Sequence, residues 1–337
     1  MKKFKNLFLA CMAVFALIAV GCSDPEVTPV AVESVKITST VTQVNNGING
    51  GKITLTASVS PENAADKTIT WSSDNEAVAT VDKNGVVTRV SDGKVTITAK
   101  AGEKTDSVEI TVKTPVVGDI ILTDGTTFDV ANLDSYTTDE NNKSVAIVAG
   151  FNAKGAVLGL GLKKSSFYIS WAKFDSTGYN TRFTDIIAKF SGSTSSGYTF
   201  TGDLDGSDNW EYICSVDPEG TKNAATNYPA FNFANTYGKW YTGDLASGWY
   251  IPSISELYEI CKNKETLQTS LTKVGGFTID NKSKGENENE SEYWSSSQRY
   301  SNDEEDAYLL NFSSGIVKYA AKSYNSYILA VLVVRAF

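Results

Sequence analysis

The chain of 337 residues contains no histidine. That removes the commonest general base, the usual Ser/His and Cys/His nucleophile arrangements, and most zinc sites. What remains for chemistry is carboxylate. Asp203, Asp205, Asp208 and Glu211 crowd the stretch GDLDGSDNWE. Glu286, Glu288, Glu290 and Glu292 alternate in ENENESE, and Asp303, Glu304, Glu305 and Asp306 are consecutive. Oxygen ligands so spaced could hold calcium, but Gly206 falls at the fourth position of its loop, where an EF-hand needs glycine at the sixth. The stretch reads as a solvated acidic turn. Four glutamates on one strand face would repel without a cation, so ENENESE reads as a solvated loop. Paired carboxylates are plentiful, yet none sits in a recognisable glycosidase context. GLGLKKSS lacks the spacing of a phosphate-binding loop. The expectation is a protein that is not an enzyme and takes no cofactor and no metal.

The formal net charge is −9, and −12 once Lys2, Lys3 and Lys5 leave with the N-terminal segment. That sign argues against nucleic acid or anionic lipid as a partner, because phosphate binding needs clustered Lys and Arg. MKKFKNLFLACMAVFALIAVGC has a basic head and an apolar stretch from Leu7 to Val20, too short for a spanning helix and suited to a cleaved export signal. Ala19-Val20-Gly21-Cys22 resembles the lipobox of bacterial lipoproteins. The resemblance implies loss of residues 1–21, a lipid on Cys22, a polar tether over residues 22–31, and a place in the bacterial cell envelope, outer-membrane and surface-exposed. Its membrane contact would be the lipid alone. Cys214 and Cys261 then remain, fitting neither a zinc cluster nor a disulfide framework; a bond between them and two buried thiols both stay open.

The elements that carry these residues divide into two units. From Val32 to Val112, short runs alternate apolar and polar side chains, as in Lys52–Val59, with Ile53, Leu55, Ala57 and Val59 on one face. Asn84-Gly85 signals a hairpin with a type I′ turn. About seven such strands make an all-β sandwich with Trp71 in its core. VSPENAADKTITWSSDNEAVATVDKNGVVTRVSDGKVTITAKAG resembles the bacterial immunoglobulin-like group 2 domain, over residues 32–113. Such domains usually serve as spacers on surface proteins.

After the junction Lys113–Val117, residues 118–337 read as an α+β unit rich in loops. Ile120–Leu122 is a strand, Val145–Ala149 and Ala156–Leu162 form a hairpin, and PAFNFANTYG is a helix from Pro229 to Gly238. SISELYEICKNK is a second helix, with Ser253 and Glu256 as a capping box and Ile254, Leu257, Tyr258 and Cys261 on one face. GWYIPSISEL, EYWSSS, AYLLNFSSG and the terminal VRAF together resemble the C-type-lectin-like fold shared by formylglycine-generating-enzyme-like domains and bacterial surface proteins. The cysteines those enzymes use near the C-terminal end are missing after Cys261, so their activity is not carried over. Some members of the fold are targets of diversity-generating retroelements, which rewrite the stretch after Tyr-Trp-Ser-Ser toward Asn, Tyr, Ser and Asp.

That composition is present here. Tyr300, Asn302, Asp303, Tyr308, Asn311, Ser313, Tyr319, Ser323, Tyr324, Asn325 and Tyr327 are the candidate ligand-binding residues. Tyrosine gives contact area at low entropy cost, and Ser and Asn give adaptable hydrogen bonds. Trp249 and Trp294 read as scaffold. ILAVLVVRAF reads as one strand buried on both faces, holding the polar stretch before it in register. The function expected is a surface-anchored ligand-binding or adhesion lipoprotein for a protein or glycan ligand. The alternative is a structural subunit of a pilus or matrix.

Overall fold

The computed structural model describes residues 28–139, 142–166, 168–280, 291–301, 304–325 and 329–337. The first unit holds β1 (Ser34–Ile37), β2 (Gln43–Asn45), β3 (Lys52–Thr54), β4 (Ala57–Ser60), β5 (Thr70–Ser73), β6 (Ala79–Val81), β7 (Val86–Arg89), β8 (Gly93–Ala101) and β9 (Lys104–Lys113). They form a four-stranded sheet β2-β9-β8-β5, a three-stranded sheet β3-β7-β6 and the pair β1-β4. Alternation makes the core: Val95, Ile97, Ala99 and Ala101 of β8 are buried, the first two clustering with Val44, Leu55, Val87 and Ile110 and the last two with Val35. Trp71 is half-buried and packs against both apolar clusters of the unit. The run Lys52–Val59 is not one strand; β3 and β4 belong to different sheets.

The hairpin at Asn84-Gly85 exists, but its turn differs from the type I′ expected. Only Gly85 takes a positive φ, 80°. The Asp82 carboxylate accepts from the Asn84 and Val86 N–H groups at 2.8 and 3.0 Å, so an aspartate-built turn replaces the two-residue one. A Cβ at Gly85 would lie 2.5 Å from the Leu55 carbonyl oxygen, which requires glycine there.

The second unit holds strands β10 (Ile120–Leu122), β11 (Thr127–Phe128), β12 (Ser144–Phe151), β13 (Val157–Gly161), β14 (Ile187–Ser193), β15 (Gly197–Gly202), β16 (Trp249–Tyr250), β17 (Glu292–Arg299), β18 (Asp306–Asn311), β19 (Ile316–Ala321), β20 (Leu329–Ala330) and β21 (Val334–Ala336). Its helices are α1 (Thr177–Asn180), α2 (Asn209–Val216), α3 (Pro218–Thr221), α4 (Ala224–Asn227), α5 (Pro229–Tyr241), α6 (Ile254–Lys262) and α7 (Lys264–Lys273). One sheet runs β11-β10-β12-β13-β21-β16 and the other β15-β14-β17-β18-β19, with β20 beside β17. The hairpin β12-β13 and the capped helix α6 are as the sequence implies; in the cap Ser253 accepts from the Glu256 N–H and Glu256 from the Ser253 N–H. Helix α5 runs past Gly238 to Tyr241. Gly238 is there for close approach, since a Cβ would meet the Ala246 carbonyl oxygen at 2.4 Å.

The apolar C-terminal stretch is corrected from one strand to two. Leu329 and Ala330 pair in parallel with Glu292 and Tyr293, while Val334 pairs with Leu160 and Tyr250 in the other sheet. Between them Val331, Leu332 and Val333 are fully buried. Leu329, Val331 and Val333 enter one core cluster and Ala330, Leu332 and Val334 enter the other. The stretch is a partition between two cores, which is why it has no polar face.

Candidate ligand-binding face

Beneath the candidate face lies a buried polar frame built on the serine run of β17. Ser295, Ser296, Ser297 and Gln298 are all inaccessible or nearly so. The Ser295 hydroxyl donates to the Tyr308 carbonyl at 2.9 Å, and the Trp171 indole donates to the Ser295 carbonyl at 3.1 Å. The Trp294 indole donates to the Ile169 carbonyl at 3.0 Å. Ser297 donates to the Asp203 carboxylate at 2.7 Å and accepts from the Ile254 N–H at the start of α6. Asn209 donates to both Asp203 and Ser296 at 2.8 Å. Glu256 accepts from the Gly206 N–H and the Tyr250 hydroxyl at 3.0 and 2.9 Å. Gln298 accepts from the Phe183 N–H at 2.6 Å and donates to the Glu304 carbonyl at 2.7 Å, so each of these buried side chains has a partner, as an interior site of low dielectric demands.

This frame corrects the solvated acidic turn at Asp203, while Asp208 and Glu211 are exposed as expected. Asp203 is buried, and burial pushes its carboxyl up to about 7 against the opposing pull of Ser297 and Asn209. Burial does the same to Glu256, also to about 7. Asp205 is half-buried and ion-paired with Lys154 at 2.9 Å, Asp208 points to solvent, and Glu211 lies in the first turn of α2. The four carboxylates do not converge. Among the described residues no group of three or more His, Cys, Asp or Glu is placed to hold a metal ion. Glu286, Glu288 and Glu290 lie outside the described residues, while Glu292 is buried on β17 and paired with Lys318 at 2.6 Å.

Of the candidate ligand residues, Tyr300, Tyr319 and Tyr324 are 55, 53 and 45% exposed, Asn325 is exposed and Ser323 is half-buried. Two exposed rings are held by cations. The Arg299 guanidinium lies 3.4 Å from the Tyr319 ring centroid while pairing with Asp306 at 2.8 Å, and the Lys189 ammonium lies 3.7 Å from the Tyr300 centroid. Asn302, Asp303 and Tyr327 lie outside the described residues, as does Cys22.

Tyr308, Asn311 and Ser313 are corrections. Tyr308 is buried, its ring 5.7 Å from Phe190. Asn311 is buried and structural: it donates to Glu292 and accepts from the backbone and hydroxyl of Ser314, building the β18–β19 turn. Ser313 is half-buried and donates to Asp280 at 2.8 Å, beside the Lys264–Asp280 pair. Composition alone does not separate a turn-building Asn or Ser from a presented one.

The structure adds aromatics that the C-terminal composition did not point to. Strand register sets Phe190 of β14 opposite Phe200 of β15, with Tyr198 on the same face. Phe190, Tyr198, Phe200 and Tyr258 of α6 form a connected group of rings at 5.3 to 6.2 Å, which reaches Tyr308. The period-2 spacing of Tyr198 and Phe200 in GYTFTG was the available signal. Phe174 is 69% exposed and packs on Tyr179 at 5.3 Å, and the Tyr179 hydroxyl donates to Glu305 at 2.5 Å. These contacts join Phe174 to the loop that leads into β18.

Residues 31–112 match the family profile of the bacterial Ig-like domain (group 2). The first unit is an immunoglobulin-like domain. A 3-O-alpha-D-galactosyl-alpha-L-arabinofuranosidase of Bifidobacterium longum subsp. longum is 50% identical over 66 residues, 19% of this chain and 6% of that enzyme. A lacto-N-biosidase of Bifidobacterium bifidum is 40% identical over 94 residues, 26% of this chain and 8% of that enzyme. The chain therefore spans less than a tenth of these relatives. Among solved structures, domains 4 and 5 of the S-layer protein SbsC align at 26% identity and a TM-score of 0.21, covering 25% of this chain and 53% of that one. An intimin mutant of EHEC O157:H7 aligns at 26% identity and 0.20, covering 28% and 55%. Beyond the immunoglobulin-like domain, Cys214 and Cys261 form no disulfide with each other, and burial pushes the Cys214 thiol up.

Proposed function

We propose that this chain is a surface lipoprotein whose immunoglobulin-like domain lifts a C-type-lectin-like head, and that the head binds an external protein or glycan. The immunoglobulin-like domain supports the coarse part of the reading, adhesion or architecture at the cell surface. The observation that carries ligand binding is the set of exposed rings, Tyr300, Tyr319 and Tyr324, standing on a fully bonded frame. Rigid tyrosines on an ordered scaffold are what a low-entropy contact surface needs. In this reading the C-terminal stretch belongs to the diversified class, the lipid sits on Cys22, and the chain carries no catalysis. A protein and glycan array probed with the intact chain tests it, beside a Tyr300→Ser/Tyr319→Ser double variant and Cys22→Ser. We expect array ligands that the double variant loses at unchanged Tm, and release of Cys22→Ser from cells with loss of acyl labelling. Equal binding by the double variant would remove the ligand face; unchanged membrane association of Cys22→Ser would remove the anchor.

A further inference from the structure

We propose that the immunoglobulin-like domain completes the core of the head, so that the two units behave as one fixed body rather than as a head on a swinging stalk. The contact is made by β2 and the loop that follows it. Ile48 of that loop is 3% exposed and sits in the same buried cluster as Ile121, Val145 and Val157 of the second unit. The Val157 N–H donates to the Gly47 carbonyl at 3.3 Å. The Gln43 side-chain oxygen accepts from the Thr127 N–H at 2.6 Å and from the Thr127 hydroxyl at 3.3 Å. Asn45, itself buried, donates to the Gly125 carbonyl at 2.9 Å. Lys113, the last residue of β9, pairs with Asp119 at 3.0 Å and with Asp129.

Backbone geometry fits the same contact from both sides. Gly47 has φ +77°, and a Cβ there would lie 3.0 Å from the Val157 nitrogen. Gly125 has φ +81°, and a Cβ there would lie 2.7 Å from the Asn49 side-chain nitrogen. Swinging the units apart would expose the Ile48 side chain and take Gly125 from Asn45, Thr127 from Gln43 and the Lys113 cation from the wholly buried Asp119. Domain interfaces within a chain are by default mobile unless apolar burial is substantial; here Ile48 enters the head's core and the bonds of Gln43 and Asn45 flank it. The consequence for the cell surface is orientation: the tether ends at a body in which the Tyr300–Tyr319 side keeps a constant angle to the immunoglobulin-like domain. None of this depends on what the head binds.

Hydrogen exchange on the full chain tests the coupling with two variants, Ile48→Ser and Gln43→Ala/Asn45→Ala. We expect the Thr127 and Val157 amides to exchange about tenfold faster or more in each variant. The Ile97 and Ile110 amides, deep in the immunoglobulin-like core, should keep their protection. Wild-type exchange at Thr127 and Val157 in both variants would overturn the proposal. So would calorimetry showing two transitions, the head's unmoved by either variant.

Discussion

Lys322 has no exposed surface, and its ammonium donates to the carbonyls of Gly178, Tyr179 and Thr181 at 3.0, 3.4 and 2.6 Å. The rings of Trp171 and Phe183 each lie 5.0 Å away. Three donors meet three acceptors, which holds the start of the Ser323–Asn325 segment to the end of α1. Burial pushes Lys322 down to about 7, against the pull of Glu304, Glu305 and Asp306. Asp203 and Glu256 are pushed up to about 7. The signs differ. The carboxyls bind protons more tightly folded than unfolded, so their contribution is complete below about pH 4 and is lost as pH rises through 7. The lysine loses its proton earlier when folded, so stability is regained as pH rises from about 7 toward 10. Each such proton changes stability by up to about 1.4 kcal/mol per pH unit. Thermal unfolding across pH 4 to 10 should therefore show a minimum near neutrality, with Glu256→Gln flattening the acid limb and Lys322→Met the alkaline one. A maximum at neutrality would refute the assignment. Ser253 and Glu256 were legible as a cap; that Glu256 would also bond Tyr250 and Gly206 was not, because those partners arrive from other elements.

At the scale of elements, alternation was the readable signal and length the unreadable one. β8, β12 and α6 follow from periodicity because each has one buried face or two. Helices α2, α3 and α4 are short and start within polar sequence, where capping by Asp217 and packing by Ile213 and Tyr228 decide the outcome. The C-terminal stretch was legible as buried on both sides and illegible as two strands, since composition does not say that its neighbours belong to different sheets. Its partition role has an energetic consequence. Leu332 is fully buried between Ala330 and Val334 in one core, with Val331 and Val333 in the other. Leu332→Ala should cost about 2–5 kcal/mol in urea unfolding of the full chain. A loss within experimental error would mean that the stretch is not a shared wall.

For the whole molecule, the immunoglobulin-like pattern of the first unit was legible, and residues 31–112 carried enough sequence to be matched. The junction of the two units was not legible, because Gln43, Asn45 and Thr127 read as ordinary polar strand and loop residues until brought together. Exposure was partly legible: Tyr300, Tyr319 and Tyr324 are exposed, whereas Tyr308 and Asn311 are buried, and the exposed Phe174 and Phe190 lie elsewhere in the chain. A second group of exposed aromatics, Trp240 and Tyr241, stands at the end of α5. Hydroxyl-radical footprinting of the full chain, with and without the strongest array ligand, distinguishes the two aromatic groups as contact surfaces. Ligand binding at the tyrosine face should protect Tyr300, Tyr319, Tyr324 and Phe190 and leave Trp240 and Tyr241 unchanged; protection of Trp240 and Tyr241 with the tyrosine face left reactive would place the ligand elsewhere.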